Sequence, residues 1–125
     1  MSQLNIDSDE VSLEFINYYY NLINSKNIDE LGTLFKNHTH IKYNDNDYKS
    51  LENIGIFFKE MFELIKEIKL IKLSSTCSGT RRFNVLIQGQ IILNDDTITN
   101  YSEYIQFGQA NDKRFWIKDI ISNFI

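Results

Sequence analysis

The last third of the chain, residues 83–125, limits the possible folds more than any other segment. It contains three long apolar stretches, FNVLIQGQIIL, TITNYSEYIQFG and FWIKDIISNFI, which are separated only by NDD and by QANDKR. Stretches of this length and composition are typical of β-strands, and strands joined by such short turns have to pair antiparallel. The sequence therefore predicts an antiparallel three-stranded meander at the end of the chain.

The final strand of this meander carries apolar side chains on both of its faces. Strict alternation puts three of them on one face: Phe115, Ile117 and Ile121. It puts three more on the other face: Trp116, Ile120 and Phe124. An antiparallel sheet normally buries one face and exposes the other to water. A second apolar face therefore needs either more of this chain or another protein to cover it.

The same alternation predicts an outer patch that runs across all three strands. Its members are apolar or aromatic and are mixed with Gln, Ser and Lys: Leu86, Ile92, Tyr104, Trp116, Ile120 and Phe124. An amphipathic surface with an aromatic centre is typical of a protein interface, so we predict that this patch binds a protein partner. The alternative is that β-bulges shift the alternation and put about half of these side chains into the core.

Helical patterns dominate the first half of the chain. Asp7 with Glu10 resembles a capping box and precedes apolar residues at helical spacing, which predicts a helix over residues 8–24. Asn27 with Glu30 predicts a short second helix that ends near residue 37. Ser50 is a suitable N-cap for a third helix over residues 51–66, whose wide apolar stripe needs to be covered.

Two further strand signals complete the order of elements. A polar turn, NDND, lies between HIKY and YK and predicts a small hairpin, and EIKLIKLSS at residues 67–75 reads as another strand. Helices followed by a mostly antiparallel sheet indicate an α+β fold in which the helices cover one sheet face. A curved sheet that closes over a helix would leave a cone-shaped pocket.

Length and charge narrow the class of protein. With 125 residues, of which 42% are hydrophobic, residues 1–125 are expected to form a single domain with its own core. The net charge of −4 argues against nucleic acid or an anionic membrane as the main ligand. The single Cys77 excludes an internal disulfide, and the sequence contains neither a signal sequence nor a long apolar run. We expect a protein of the cytosol or nucleus.

Five side chains are candidates for catalytic or metal-binding groups: Tyr18, Tyr19, His38, His40 and Asp119. The two tyrosines lie in a helical apolar stripe, where core packing is the more frequent role. The two histidines would share a strand face, but no third ligand lies near them in sequence, which favours a solvated strand edge over a metal site. Asp119 is expected to pair with Arg114, with Lys118 or with a basic residue of a partner protein. We predict no catalytic residue, metal or cofactor.

Taken together, these segments resemble the nuclear transport factor 2 family over nearly the whole chain. The resemblance begins in FINYYYNLINSKNIDELGTLF and continues through IKYNDNDYKSLENIGIFFKEM. It is most specific in VLIQGQIILNDDTITNYSEYIQF and in the ending FWIKDIISNFI. The family implies a cone, in which a curved, mostly antiparallel sheet is cupped around a long helix. It also implies dimers formed through the outer sheet face.

Two branches of the family differ in the residues that they need in the turns. The homodimeric import factor recognises GDP-bound Ran through a glutamate in the aromatic turn and acidic residues after the glycine-containing strand. Here Asn44 stands at the expected glutamate position and Asn94 replaces one of the acids. An amide in place of a carboxylate removes a charge-assisted hydrogen bond, typically about 1.5–3 kcal/mol. Four acids still offer a possible docking loop: Asp45, Asp47, Asp95 and Asp96.

The other branch, the small partner of the messenger RNA export receptor, is more similar in YNDND, GIFFKEM and FGQANDKRFWIKDI. This resemblance implies a non-enzymatic adaptor that heterodimerises with the export receptor and supports docking to phenylalanine-glycine repeats of the nuclear pore. Its expected location is the nucleus, the cytoplasm and the pore itself. Two alternatives stay open. One is the homodimeric carrier of GDP-bound Ran, and the other is a small-molecule isomerase or dehydratase built on the same cone.

Overall fold

A computed structural model of the chain describes the backbone of residues 8–124 and the side chains of residues 9–123. Three helices and six strands follow one another as α1 (Ser8–Asn24), α2 (Ile28–Gly32), β1 (Phe35–Tyr43), β2 (Asn46–Tyr48), α3 (Leu51–Leu64), β3 (Ile65–Cys77), β4 (Arg82–Leu93), β5 (Ile98–Gln109) and β6 (Phe115–Phe124). The strands form a single curved sheet in the order β2-β1-β6-β5-β4-β3. Only the β1–β6 pair is parallel among these strands, so the α+β cone predicted from the sequence is confirmed.

The helices begin where side chains cap them. The side chain of Asn27 accepts a hydrogen bond from the backbone N–H of Glu30, and that of Ser50 accepts one from Asn53, so both predicted N-caps are present. Asp7, which is predicted to form a capping box with Glu10 at the start of the first helix, lies outside the described residues. None of the helices in the described part of the chain is long and apolar enough to cross a membrane.

Helix α2 is shorter than the sequence predicts. It ends at Gly32 after five residues, residues 33 and 34 form a turn, and residues 35–37, which were also expected to be helical, belong to β1. The carbonyl of Leu34 accepts a hydrogen bond from the N–H of Ile117, which ties this segment to the sheet. Glycine is a poor helix former, so pairing with β6 prevails over continuation of the helix.

The helices and the inner face of the sheet enclose the core. Phe15 of α1 stacks on Phe107 of β5 with 4.1 Å between the ring centroids, and Tyr19 is fully buried. Burying a large apolar side chain contributes about 1.5–3 kcal/mol, so this contact between α1 and the sheet is a main source of stability. Tyr18 lies at the rim, where its hydroxyl donates a hydrogen bond of 2.9 Å to Glu30.

A β-bulge interrupts strand β6. Gln106 of β5 pairs with Asp119, but the next residue, Phe107, pairs with Ile117, so Lys118 is an extra residue in the ladder. An extra residue in one strand moves every following side chain to the opposite face of the sheet. The apolar residues on both faces of this strand therefore arise from a change of phase within the strand.

The bulge changes which residues face outward. Ile117 and Ile120 are both buried, with 0% and 2% of their surface exposed, whereas Ile121 is 40% exposed. The prediction that Ile120 lies on the outer face is therefore wrong, because the bulge turns it into the core. Ile121, which strict alternation assigned to the opposite face, takes its place.

The two edges of the sheet are protected in different ways. Strand β2 at one edge has three residues, and side chains of α1 bond the backbone of β3 at the other edge at two positions. The Asn24 side chain donates to the carbonyl of Ile68 at 3.1 Å and accepts from its N–H at 2.8 Å. Near the other end of β3, the N–H of Ser75 donates to Asp9 at 3.0 Å. Side chains of α1 thus occupy backbone groups that an edge strand would otherwise offer to another chain.

Candidate functional site

The centre of the outer sheet face is an apolar row that crosses three neighbouring strands. Leu86 of β4 is paired with Tyr104 of β5, and Tyr104 is paired with Ile121 of β6, so the three side chains lie side by side. Together they line a depression with a volume of about 410 Å³. Leu86 is 60% exposed, which is high for a leucine in the middle of a sheet. This row is the part of the outer face that is best suited to bury apolar surface against a partner.

Polar side chains frame the row on both sides. Asn84 accepts hydrogen bonds from the Tyr104 hydroxyl at 3.0 Å and from the Gln106 amide at 2.9 Å, which fixes the position of the tyrosine hydroxyl. On the other side, Gln88 pairs with Ser102 in the adjacent strand. An apolar centre inside a rim of neutral polar groups is the usual anatomy of a protein interface.

The six predicted interface residues differ in how far they are exposed to solvent. Leu86 is exposed, and three others are partly exposed: Ile92, Tyr104 and Trp116. Ile120 lies in the core, and the side chain of Phe124 lies outside the described residues. Trp116 covers the backbone of its cross-strand neighbour Gly108, where an added Cβ would lie 2.2 Å from the indole ring.

Two apolar residues of this face were missed by the sequence-based prediction. Ile98 is 60% exposed and pairs with Ile92 near the β4–β5 turn, and Ile121 belongs to the central row. The alternation in β5 already placed Ile98 on the parity of Tyr104, so this residue could have been included. For Ile121 the signal was the adjacent polar pair Lys118 and Asp119, which breaks the alternation of an otherwise apolar strand.

Histidine and aspartate side chains form a small polar cluster at the β1–β2 side of the face. His40 hydrogen bonds to Asp47 at 2.8 Å, and its other ring nitrogen lies 4.0 Å from Asp119. The hydrogen bond from His40 lowers the pKa of the Asp47 carboxyl group. Asp119 was expected to pair with Arg114, with Lys118 or with a basic residue of a partner. Within the chain it faces His40, and Arg114 binds the nearby Asp112 in the β5–β6 turn at 2.7 Å.

His38 does not join this cluster. Its ring lies against the indole of Trp116 with 6.2 Å between centroids. Within the described part of the chain, no group of three or more His, Cys, Asp or Glu side chains is arranged to hold a metal ion.

The four aspartates of the possible docking loop lie in two separate turns. Asp45 and Asp47 belong to the β1–β2 hairpin, and Asp95 and Asp96 belong to the β4–β5 turn. Hydrogen bonds from the side chain and from the backbone N–H of Thr97 lower the pKa of the Asp95 carboxyl group, and Asp96 forms an ion pair of 2.9 Å with Lys66. Because Asp47 is bound to His40, three of the four carboxylates already have partners within the chain.

A buried carboxylate occupies the opposite, inner face of the sheet. Glu103 is only 8% exposed, and its two oxygens accept hydrogen bonds from Tyr20 at 2.9 Å and from Ser122 at 2.6 Å. Tyr101 in turn donates to the hydroxyl of Tyr20. Burial raises the pKa of Glu103, although the two hydrogen bonds oppose this shift, and burial also raises the pKa of Tyr20 well above its ordinary value.

The sequence-based prediction overlooked this cluster, although the strand alternation contained the signal. Glu103 shares its parity with Tyr101, Ile105 and Phe107, so an acid stands on the face that the apolar residues assign to the core. Both carboxylate oxygens are used within the chain, and Tyr20 and Tyr101 are also buried. The cluster therefore has the geometry of a satisfied structural network, in which an approaching substrate would have to displace internal hydrogen bonds.

Comparison with known proteins places this geometry in a family. The family model described as the nuclear transport factor 2 (NTF2) domain matches residues 11–122, which is most of the chain. No curated protein sequence matches the chain.

Solved structures with the same fold have diverse roles. Nuclear transport factor 2 from Cryptosporidium parvum is similar over 100% of both chains, with a TM-score of 0.84 and 16% identity. The yeast Ubp3-associated protein Bre5 is similar over 97% of this chain and 98% of its own, with a TM-score of 0.76 and 16% identity. A proposed aromatic ring hydroxylase from Novosphingobium aromaticivorans is similar over 98% and 92%, with a TM-score of 0.76 and 11% identity. At such identities the likeness shows the fold alone.

Proposed function

The chain belongs to the nuclear transport factor 2 domain family, and on this premise we propose that it is a non-enzymatic adaptor of nucleocytoplasmic transport. In this proposal its outer sheet face pairs with the related domain of a messenger RNA export receptor. The resulting heterodimer supports docking to phenylalanine-glycine repeats of nuclear pore proteins. The protein would then be found in the nucleus, in the cytoplasm and at the pores of the nuclear envelope.

The observation that carries the proposal is the exposed row of Leu86, Tyr104 and Ile121. An apolar row in the middle of a sheet that has a complete core on its other face contributes little to the folding of the monomer. The free energy of burying these apolar side chains is gained only when a second surface covers the row. Association with another protein is also recorded in the name of a similar structure, the Ubp3-associated Bre5.

The homodimeric carrier of GDP-bound Ran has less support. Asn44 adopts a left-handed backbone conformation with φ of 52°, which asparagine tolerates better than glutamate does. The Asn94 side chain donates to the carbonyl of Glu63 at 2.5 Å and so holds the β4–β5 turn against α3. The backbone of Asn44 and the amide of Asn94 therefore serve the turns in which they lie, and neither side chain supplies the negative charge that a basic partner would need.

An enzyme of the isomerase or dehydratase type is the second alternative, and the buried Glu103 network is the observation that would favour it. A buried carboxyl group with a raised pKa is a candidate catalytic acid or base, and the hydroxyl groups of two tyrosines lie beside it. The closed hydrogen bonding of the network supports a structural role instead. A substrate-dependent change in the chemical shifts of Tyr20 and Tyr101 would favour the enzyme.

Measurement of molecular mass in solution separates these functions. The purified chain should be run alone, with the NTF2-like domain of a messenger RNA export receptor, and with GDP-bound Ran. We expect a one-to-one complex with the receptor domain. A stable homodimer that captures GDP-bound Ran would contradict the proposal and support the import carrier.

A pair of matched variants tests whether the outer face forms the contact. Leu86→Glu introduces a negative charge into the central row, and Leu64→Glu introduces the same charge at the end of α3, where the leucine is 65% exposed. Burying an unpaired charge costs about 3–5 kcal/mol, so Leu86→Glu should weaken the complex at least about a hundredfold. Leu64→Glu should leave it unchanged. Equal effects of the two variants would place the interface elsewhere.

A further inference from the structure

The outer face has a different charge balance from the chain as a whole. The complete sequence has 13 basic and 17 acidic residues. Within the described residues, the outer face carries five basic side chains: Lys42, Lys69, Lys72, Arg82 and Lys118. It carries three acidic ones: Asp47, Glu67 and Asp119. The outer face of the sheet therefore carries an excess of positive charge, although the protein as a whole is acidic.

Contacts within the chain leave this excess of positive charge in place. Two of the three acids, Asp47 and Asp119, lie on either side of His40 at 2.8 Å and 4.0 Å, and Asp47 is also the strand partner of Lys42. By contrast, no carboxylate in the described part of the chain forms an ion pair with the other four cations: Lys69, Lys72, Arg82 and Lys118. The charge that is left for a partner to neutralise is positive.

The uncompensated cations lie on both sides of the apolar row. Lys72 lines the central depression next to Leu86, and Lys69 lies further along the same strand. On the other side of the row, Arg82 and Lys118 share a groove at the ends of β4 and β6. Any partner that covers the apolar row must therefore approach the cations on both sides.

We propose that the outer face selects a partner sheet that carries an excess of carboxylates, and that it disfavours pairing with a second copy of this chain. This inference rests on the proposed function, because it assumes that the outer face is the dimer surface. A homodimer built on this face is two-fold symmetric, so the same surface contributes from both sides. A two-fold axis that runs along β5 would bring Arg82 of one copy toward Lys118 of the other, since β4 and β6 flank β5. Like charges that face each other across an interface suppress the wrong partner.

A charge-reversed copy of the chain serves as the test partner. The triple variant Lys69→Glu/Lys72→Glu/Lys118→Glu keeps the apolar row and replaces three of the uncompensated cations by acids. As a control, Lys26→Glu/Lys59→Glu/Lys113→Glu makes the same change in net charge away from the central row. Thermal unfolding shows beforehand that both variants are folded.

Association is measured by analytical ultracentrifugation at low and high salt. At about 50 mM NaCl, where exposed charges are little screened, we expect the wild type alone to be monomeric and its mixture with the charge-reversed copy to form one-to-one dimers. Raising the salt to about 0.5 M should weaken the mixed dimer at least about tenfold. The mixture with the control variant should not associate.

Two results would overturn the inference, and they differ from failure of the proposed function. One is a wild-type homodimer that tightens at low salt, and the other is a mixture with the charge-reversed copy that stays monomeric. In either case, binding of the export-receptor domain that is lost in Leu86→Glu would leave the proposed function standing. Binding that Leu86→Glu does not affect would instead remove the outer face as the dimer surface, and the inference with it.

Discussion

A carboxylate on the core face of a strand has to be accommodated by hydroxyl groups, and Glu103 shows how this is done. Tyr20 reaches it from α1 and Ser122 from the neighbouring strand β6, so the network joins a helix to two central strands. Burial nevertheless raises the pKa of Glu103 above its ordinary value of 4.5. The folded state therefore holds this proton more tightly than the unfolded state does, and stability falls as the pH rises through the raised value.

Replacing this carboxyl group by an amide should remove that part of the pH dependence. In Glu103→Gln the free energy of unfolding should fall less than in the wild type as the pH rises from 4.5 toward neutrality, because no proton is lost from the site. Urea unfolding at a series of pH values measures the difference. Glu60→Gln, which changes an exposed carboxylate on α3, is the control and should follow the wild type. Identical curves for all three proteins would argue against a raised pKa.

Two glycines with different surroundings test the packing at single residues. A Cβ on Gly89 would lie 2.4 Å from the carbonyl oxygen of Lys69 and 2.6 Å from the Tyr101 hydroxyl, so the backbone itself would have to move. We expect Gly89→Ala to cost about 1–3 kcal/mol. A Cβ on Gly55 in α3 meets nothing within 4 Å, and Gly55→Ala should stabilise the protein by about 0.5–1 kcal/mol. Denaturant midpoints report both values, and changes of the same sign would contradict the packing around Gly89.

At the scale of elements, the bulge in β6 decides which side of the strand each isoleucine serves. Ile120→Ala should remove buried methyl groups and cost about 2–5 kcal/mol. Ile121→Ala changes an outward side chain and should cost less than about 1 kcal/mol in the isolated chain. Chemical unfolding of the two variants under the same conditions gives the comparison. If Ile121→Ala proved the more destabilising of the two, the shift of phase at Lys118 would be wrong.

Local patterns were enough to predict the main elements of the fold. The caps at Asn27 and Ser50 and the alternation in β4 and β5 depend on residues close in sequence, and the structure contains all of them. The parallel pairing of β1 with β6 and the end of α2 at Gly32 depend on contacts across the whole chain. A short propensity signal around residues 33–37 could not compete with a strand that lies about 80 residues further on.

The residues of the candidate site were likewise predictable from the sequence only in part. Alternation alone places Leu86 and Tyr104 on the outer face, because the strands that carry them pair without a bulge. It misplaces Ile120, because one extra residue in a strand leaves hydrophobicity unchanged and reverses the direction of every later side chain. Alternation also places Glu103 on the inner face of β5, but the hydroxyl groups that accommodate this acid come from α1 and β6, which are distant in sequence.

At the scale of the whole molecule, α1 belongs both to the core and to the boundary of the sheet. Asn24→Ala would leave the N–H and the carbonyl of Ile68 without their partner at the edge of β3. We expect a loss of about 1–3 kcal/mol and a greater tendency to aggregate on heating. Asn21→Ala, an exposed position on the same helix, is the control. Unfolding curves and light scattering measure the two effects, and equal behaviour of the two variants would show that the Asn24 contact does not protect the edge.

Protection of both sheet edges also limits how many copies or partners can join. An open edge would let strands add one after another and so build a fibre without end. In this molecule β2 is too short and β3 has its backbone bonded by α1 at Ile68 and Ser75, which leaves the outer face of the sheet as the place for growth. A sheet face, unlike an edge, is covered by the first partner that binds it. The fold therefore favours assemblies that stop at two subunits, whichever protein supplies the second.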